Sequence, residues 1–279
     1  MSNEFPVLSA ETIAPGIVRL RLQAPRVARH WRPGQFAIVR PDEDGERIPL
    51  TVVETDPDGS IVLVIQAVGA TTDRLCAMVA GDALADLAGP LGSPTEVDHF
   101  GGVVVVAGGV GAAVALPVAR ALVEEGNEVT AILGARSADR VILAAETKAA
   151  GCRVIVATED GSLGIQGMVT DALGDLLARE GRVDRVFTAG PIPMMAAVAE
   201  ATRRHGITTI ASLNPIMVDG TGMCGGCRVR ISGEMRFACV DGPEFDAHAV
   251  DFDTLARRNA AYAAWEADAR RGACREVPA

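Results

Sequence analysis

Four residues in the C-terminal part of the chain have types and spacings that can bind metal. In the segment MVDGTGMCGGC, residues 217 to 227, Asp219 is followed by Cys224 and Cys227, and Cys239 lies further on. The pattern D-x4-C-x2-C-x11-C matches the C-x4-C-x2-C register of plant-type 2Fe–2S ferredoxins, with aspartate in the first place. The glycines let the loop curl so that backbone N–H groups point at sulfur. The spacing therefore favours a 2Fe–2S site with one carboxylate ligand.

Other ligand sets stay open at this point. A tetrahedral zinc site is the main alternative, although zinc usually pairs two short Cys or His spacings and a second C-x-x-C is missing. Asp241 and Cys274 are alternative fourth ligands, but neither falls on the ferredoxin register. Cys76 and Cys152 are scattered, and in a long cytosolic chain they are expected to be small buried residues and not part of a disulfide framework.

A glycine-rich segment upstream is typical of a nucleotide site. AGGVGAAVALP follows a run of valines and opens a helix, so its backbone N–H groups would suit a pyrophosphate. Gly109 and Gly111 are present, but Val114 replaces the third glycine of the G-x-G-x-x-G fingerprint, and a tight structural turn is the alternative. In TAGPIPMM, Gly190 and Pro191 lie between a strand and a helix, at the edge where parallel sheets bind nucleotides.

The choice of nucleotide depends on the end of the second strand in this part. No acidic residue stands there to hold an NAD ribose, and Arg136 occupies the position instead. Arg136 can accept the 2′-phosphate of NADP(H), or it can be a solvated loop charge. Both NAD(H) and NADP(H) therefore stay open.

A short extended segment in the first part suggests a flavin site. ERIPLTV carries Arg47, which could bind a flavin pyrophosphate, and Thr51, which could hydrogen-bond the flavin ring. Without further context, a surface arginine and a strand threonine are the simpler interpretation.

The elements that must position these residues fall into three parts. Residues 1–97 contain short strands, such as IVRLRLQ and GSIVLVIQAV, and predict a small antiparallel β-barrel. Residues 98–210 alternate buried strands with helices, which predicts an α/β domain with a parallel sheet and right-handed crossovers. Residues 211–279 hold the glycine- and cysteine-rich segment and an amphipathic C-terminal helix.

Length and charge limit the class of protein. The 279 residues suit roughly two domains, and the formal net charge of −10 argues against a nucleic-acid partner, because phosphate binding needs clustered Lys and Arg. The most apolar run is broken by glycines and by Pro117, so no membrane span is predicted. The N-terminus lacks the basic start and apolar core of a signal peptide, and we expect a cytoplasmic protein.

Taken together, these motifs make the chain resemble the ferredoxin–NADP reductase superfamily, in the branch that carries a C-terminal 2Fe–2S domain. That branch includes the electron-transfer subunit of dihydroorotate dehydrogenase. Within it, the chain is most similar to the small (alpha) subunits of NADH-dependent ferredoxin–NADP oxidoreductases, also called sulfide dehydrogenase subunits. The similarity spans nearly the whole chain, through RIPLT, VGATT, GPLGSP, AGGVGAAVALP, TEDGSLGIQG, AGPIPMM and NPIMVDGTGMCGGCRV.

The resemblance implies a fold, cofactors and site residues. It implies an FAD-binding barrel, an α/β nucleotide domain and a small cluster domain that holds 2Fe–2S through Asp219 and the three cysteines. The superfamily's flavin motif is R-x-Y-S/T, whereas here Ile48 takes the Arg place and Arg47 comes one residue early. The residues implied near FAD are Arg47, Pro49, Leu50, Thr51, Gly69, Thr71 and Thr72. Those implied near NAD(H) or NADP(H) are Gly109, Gly111, Gly190 and Pro191, with Arg136 as the candidate for the 2′-phosphate.

The implied activity is electron transfer between NAD(P)H, FAD and the cluster, within a heterodimeric ferredoxin–NAD(P) oxidoreductase of the electron-bifurcating type. The implied partner is a larger flavoprotein subunit with 4Fe–4S clusters that resembles the small subunit of glutamate synthase, and ferredoxin is a further candidate. Flavin-mediated hydride transfer needs no catalytic side chain, so none is predicted. The alternatives are an electron-transfer subunit for dihydroorotate or polysulfide, and a non-enzymatic flavin and cluster redox sensor.

Overall fold

The first part of the chain is an antiparallel sheet that curls into a near-closed barrel. The computed structural model describes residues 5–179 and 182–270. The strands of the barrel are β1 Phe5–Ala14, β2 Ile17–Gln23, β3 Phe36–Arg40, β4 Ile48–Thr55, β5 Ser60–Gln66, β6 Ala83–Leu84 and β7 Asp86–Leu91, and its helices are α1 Pro25–His30 and α2 Ala70–Cys76. The strands pair in the order β6-β1-β2-β5-β4-β3-β7, and the two end strands are separated in the chain by Ala85 alone. The predicted barrel is therefore confirmed.

Alternation along the strands separates the barrel core from its surroundings. In β2, Leu20 and Leu22 are buried, and Arg19 and Arg21, which alternate with them, are half-buried. Strand β3 is buried on both faces, and its two faces belong to different cores. Ala37 and Val39 pack into the barrel, whereas Phe36 and Ile38 pack against the cysteine-containing part of the chain.

The second part is an α/β domain with a parallel sheet. Its elements are β8 Gly102–Gly108, α3 Gly111–Glu124, β9 Glu128–Ala135, a 3₁₀ turn Ala138–Arg140, α4 Ala144–Ala149, β10 Arg153–Thr158, β11 Ile165–Gln166, α5 Val169–Arg179, β12 Arg185–Ala189, α6 Ile192–Arg203 and β13 Thr208–Ser212. The strands run in the order β11-β10-β9-β8-β12-β13, and each neighbouring pair is parallel. β8 is a continuous valine run buried on both faces, as a central parallel strand requires. The predicted α/β domain is confirmed.

The third part folds against both of the others. Its elements are β14 Arg228–Ile231, β15 Glu234–Phe237, α7 Ala238–Asp241, β16 Glu244–Asp246, α8 Phe252–Ala260 and α9 Ala263–Arg270. β16 joins the parallel sheet as an antiparallel edge strand beside β13. The division at 210/211 falls inside β13, so the cluster segment and the nucleotide domain share one sheet.

The C-terminal helix differs from the single amphipathic helix that the sequence predicts. It is divided into α8 and α9 by a turn at residues 261–262. Helix α8 packs against α6 and β14 and buries Leu255, whereas α9 lies against α2 of the barrel. The turn lets one segment cover two different surfaces. None of the described helices is long and apolar enough to cross a bilayer.

Candidate functional site

A cavity of about 920 Å³ lies between the barrel and the carboxyl edge of the parallel sheet. The loops after β8, β9 and β12 reach it, because parallel strands end at the same edge. From the barrel side, β3, β4 and β5 supply the opposite wall. The lining residues that the sequence predicted are Pro49, Leu50, Thr51, Gly109, Gly111, Arg136, Gly190 and Pro191.

Glycines at the sheet edge let the main chain approach closely. A Cβ at Gly111 would lie 2.3 Å from the carbonyl oxygen of Ala189, so the first turn of α3 can lie against the end of β12 only with glycine there. Gly109 has φ +55 and Gly190 has φ +149, backbone conformations that other residues rarely adopt. The start of α3 is thus open to a ligand in the cavity, as a pyrophosphate site requires.

Four of the residues predicted near FAD do not line this cavity. The hydroxyl of Thr71 accepts a hydrogen bond from the N–H of Glu46 at 3.3 Å, and that of Thr72 caps α2 by accepting from the N–H of Gly69 at 2.8 Å. Arg47 forms an ion pair with Asp86. Their roles toward a flavin remain predictions.

Sequence reasoning missed two charged residues in the cavity wall. Arg140, in the 3₁₀ turn, lies four positions after Arg136, and Glu159 directly follows β10. The N–H of Glu159 donates to the carbonyl of Ala135 at 3.1 Å, which brings it next to Arg136. Neither arginine forms an ion pair with a described residue. Arg140 could have been predicted, because it is the second arginine of GARSADR in the same loop as Arg136. Glu159 could not, because only the pairing of β9 with β10 brings it close to Arg136.

Asp219 is held in the cluster loop by main-chain groups. Its carboxylate accepts hydrogen bonds from the N–H of Thr221 at 2.9 Å and from the N–H of Cys224 at 2.7 Å. These bonds, first that of Thr221 and then that of Cys224, lower the pKa of Asp219 to about 2. The side chain is therefore an ionised oxygen donor at neutral pH.

Two of the cysteines are buried side by side. The sulfurs of Cys227 and Cys239 are 3.1 Å apart, and the N–H of Cys239 donates to the Sγ of Cys227 at 3.5 Å. Burial raises the pKa of Cys239, and the neighbouring Cys227 and the charge of Asp219 raise it further. A metal that binds here must displace the thiol proton.

The donor set fits a cluster better than a single ion. Among the residues that the structure describes, no three His, Cys, Asp or Glu side chains already converge on one point. The sulfurs of Cys227 and Cys239 are adjacent, and the carboxylate of Asp219 is bonded to the main chain of Cys224, so a group with two metal atoms suits these donors. Backbone N–H groups point at sulfur, including that of Gly226 toward Cys224 at 3.4 Å.

The structure describes one of the two alternative fourth ligands. The carboxylate of Asp241 accepts a hydrogen bond from the N–H of Phe237 at 2.7 Å, at the start of α7. Cys274 lies outside the described residues. Asp219 remains the predicted ligand.

Comparisons with known proteins agree with this architecture. Residues 214–251 match the iron–sulfur cluster binding domain of dihydroorotate dehydrogenase B. A Thermotoga maritima homologue of the electron transfer subunit of dihydroorotate dehydrogenase B (NAD(+)) is 47% identical over 251 residues, which cover 90% of this chain and 88% of the relative. The corresponding subunit from Shouchella clausii is 33% identical and covers 87% of this chain and 95% of its own length.

A solved structure extends the similarity to three dimensions. A chain from the structure of an NADH-dependent reduced ferredoxin–NADP oxidoreductase, studied for flavin-based electron bifurcation, superposes with a TM-score of 0.91. It is 43% identical, and the match covers 96% of each chain. The resemblance drawn from the sequence motifs is confirmed, as is the oxidoreductase fold with its iron–sulfur domain. The chain belongs to the family formed by the electron-transfer subunits of dihydroorotate dehydrogenase B and their homologues.

Proposed function

We propose that this chain binds FAD and a 2Fe–2S cluster and carries electrons between NAD(P)H and a partner subunit in a heterodimeric ferredoxin–NAD(P) oxidoreductase. The observation that carries the proposal is the position of Phe36 on β3. Phe36 lines the large cavity and also belongs to the apolar core that contains Cys227 and Cys239. The proposed nucleotide and cluster sites thus border the same apolar core.

The residues of the chain act by binding, orienting and excluding water. The glycine edge and the N-terminus of α3 would receive the pyrophosphate of the nucleotide, and Thr51 and Leu50 face them across the cavity. FAD, when bound, supplies the conversion between a two-electron hydride and single electrons. Asp219, Cys224, Cys227 and Cys239 would hold the cluster. The buried core around Phe36 keeps water out of the space between the two sites.

The partner in this proposal is a larger flavoprotein subunit that resembles the small subunit of glutamate synthase. Several large apolar side chains are exposed around the cluster loop, where a second subunit would cover them: Val218, Met223 and Val240, of which Met223 is 89% exposed. The chain has six cysteines, too few to hold 4Fe–4S clusters besides its own site. A cytoplasmic location and ferredoxin as an external carrier are part of the same proposal.

A second candidate function is the one described for several relatives. Several of them are electron-transfer subunits of dihydroorotate dehydrogenase B, so a dihydroorotate-oxidising partner is the alternative. Co-purification of this chain with each candidate large subunit separates the two functions. We expect a stable complex with the glutamate-synthase-like subunit. If this chain forms a complex only with the dihydroorotate-oxidising subunit, the proposed function is wrong.

The cofactor content tests the core of the proposal. Anaerobically purified chain should contain one FAD and one 2Fe–2S cluster, and should reduce an artificial acceptor with NADH or NADPH. Cys227→Ala should lose most of the iron, whereas Cys152→Ala, at a buried cysteine outside the cluster segment, should keep it. Stoichiometric zinc with no iron after reconstitution would refute the cluster, and a loaded chain without NAD(P)H turnover would favour a redox sensor.

A further inference from the structure

Two arginines from distant parts of the chain donate hydrogen bonds to the backbone of the cluster loop. The Nε–H of Arg47 donates to the carbonyl oxygen of Val218 at 2.9 Å, and Nη2 of Arg258 donates to the carbonyl oxygen of Gly226 at 3.1 Å. Val218 directly precedes Asp219, and Gly226 directly precedes Cys227. Because a peptide unit is planar, each bond fixes the orientation of the peptide from which a candidate ligand extends.

Each arginine is itself held in place by its own element. Arg47, just before β4, forms an ion pair with Asp86 on β7, so both partners belong to the barrel. Arg258 lies on α8, which begins with the side chain of Asp251 accepting from the N–H of Thr254 and buries Leu255. The loop is therefore held from the flavin side by the barrel and from the opposite end by the C-terminal segment.

Packing beneath the loop makes the barrel contact close. A Cβ at Gly220 would lie 2.5 Å from Cδ1 of Leu91 and 3.0 Å from Cδ1 of Ile38, both on barrel strands. The residue after Asp219 thus rests directly on β3 and β7. A small shift of the barrel against the cluster segment would move Asp219.

We propose that Arg47 and Arg258 are positioning residues for the iron–sulfur loop, and that Arg258 also sets the reduction potential of the cluster. The inference rests on the proposed function, because it requires a cluster at Asp219, Cys224, Cys227 and Cys239. The charge of Arg47 is balanced by Asp86, whereas no carboxylate of the described residues lies within ion-pair distance of Arg258. An unbalanced positive charge favours the more negative, reduced cluster.

The test compares single variants of the full chain after anaerobic reconstitution. Three properties are measured: the potential of the cluster by titration monitored with electron paramagnetic resonance, the rate of iron release to a chelator, and the FAD content. Arg258→Gln removes the charge, and Arg258→Lys keeps it but loses the planar fork of donors. Arg257→Gln is the matched control, because Arg257 is the neighbouring arginine on α8 and bonds to Thr254 instead of the loop.

Loss of the charge of Arg258 and loss of its hydrogen bond are expected to change different properties. Arg258→Gln should lower the potential by about 59 mV, a tenfold change for a one-electron couple, and release iron about tenfold faster. Arg258→Lys should keep the potential of the wild type and still release iron faster. Arg47→Gln, Arg47→Lys and Asp86→Asn should speed iron release, and Arg257→Gln should match the wild type in all three properties.

Two outcomes would overturn the inference. If the Arg258 variants keep the potential and the iron-release rate of the wild type, Arg258 does not position the loop. If Arg47→Gln loses FAD while the cluster is unaltered, Arg47 is a flavin ligand and not a support for Val218. A wild-type chain that takes up no cluster refutes the proposed function as well, whereas unchanged variants of a cluster-bearing chain refute this inference alone.

Discussion

At the scale of single residues, Asp219 is the predicted ligand that would distinguish this cluster from one held by four cysteines. A carboxylate oxygen is a harder ligand than a thiolate and binds iron through a different balance of charge and covalency. In this loop the carboxylate is ionised and is aligned by hydrogen bonds from the N–H groups of Thr221 and Cys224. This preorganisation argues that the aspartate is a functional part of the site and not a cysteine lost by mutation.

Replacing Asp219 tests its role directly. Asp219→Cys should keep the 2Fe–2S cluster, because the spacing becomes the all-cysteine plant-type pattern, but its spectrum and potential should shift. Asp219→Ala should leave a labile cluster, measured by electron paramagnetic resonance and potentiometry on the reduced protein. Asp241→Asn, which keeps an oxygen to accept from the N–H of Phe237, is the control and should resemble the wild type. An Asp219→Ala protein with unchanged signal, potential and stability would transfer the ligand role to Asp241 or Cys274.

Charges in the cavity wall bear on the choice of nucleotide. We expect NADH to be preferred, because Glu159 lies beside Arg136 and would repel a 2′-phosphate that the arginine attracts. Glu159→Gln should then raise the efficiency of flavin reduction by NADPH about tenfold, equivalent to about 1.4 kcal/mol, and change that with NADH much less. Stopped-flow reduction with both nucleotides measures this. A wild type that already prefers NADPH tenfold, and loses the preference in Arg136→Ala, would contradict the expectation.

At the scale of elements, the contact between α3 and β12 depends on the absence of a side chain. Gly111→Ala would place a methyl group 2.3 Å from the carbonyl oxygen of Ala189, so either the helix or the strand end must move. We expect a loss of unfolding free energy of about 1–3 kcal/mol, together with weaker nucleotide binding. Urea unfolding and nucleotide titration of the same samples measure the two effects.

A second glycine provides the matched control for Gly111. Gly174 lies inside α5 at an exposed position, and a Cβ there would meet no atom within 4 Å. Gly174→Ala should therefore stabilise the protein by about 0.5–1 kcal/mol, because alanine loses less backbone entropy in a helix. Equal effects of the two substitutions would show that the contact with Ala189 is not what constrains Gly111.

Strands and helices could be predicted from the sequence where the local pattern of apolar and polar residues determines them. The alternating IVRLRLQ became β2 and the valine run became β8, because side-chain burial in those strands follows a simple period. Strand β1 was not predicted, since half of FPVLSAETIA is exposed and its pairing with β2 and β6 holds it in place. Strand β16 has three residues and exists only through its pairing with β13.

The cluster site could likewise be predicted only where it depends on residues close together in the sequence. Ligand spacing in the cluster loop is local, so the sequence could suggest the four ligands and the cluster type. The residues that hydrogen-bond to that loop are distant in the sequence. Arg47 is 171 residues from Val218, and its pairing with Asp86 depends on the tertiary structure of the barrel. RIPLT suggested a role for Arg47 at the flavin, which stays a prediction, but not the hydrogen bond from Arg47 to the cluster loop.

At the scale of the whole molecule, the three parts of the chain meet at Glu244. Its Oε1 accepts a hydrogen bond from the hydroxyl of Thr95 at 2.6 Å, on the segment that links the barrel to the sheet. A Cβ at Gly34 of the barrel would lie 2.7 Å from the same oxygen, and Arg185 of β12 acts on Glu244 through its charge. The side chain also faces a cavity of about 200 Å³ between these elements. A carboxyl group in such a junction is poorly solvated.

Burial raises the pKa of Glu244 from its ordinary value of 4.5 to about 7, although the hydrogen bond from Thr95 and the charge of Arg185 act in the opposite direction. Between about pH 4.5 and 7 the folded chain therefore holds a proton on Glu244 that the unfolded chain has released. The folded state binds more protons in that window, so the free energy of unfolding falls as pH rises through it and levels off above pH 7.

Glu244→Gln should remove this dependence, because an amide oxygen can still accept from Thr95 but never ionises. The difference in unfolding free energy between Glu244→Gln and the wild type should increase by up to about 3 kcal/mol in favour of the variant from pH 4.5 to pH 8. Urea unfolding at several pH values, with all samples in the same cofactor state, measures that difference and cancels the other titrating groups. Glu43→Gln, at a side chain that is 88% exposed, should follow the wild type. If the curves of Glu244→Gln and the wild type stay parallel over this range, Glu244 is ionised in the folded protein, and the junction of the three parts is better solvated than its packing indicates.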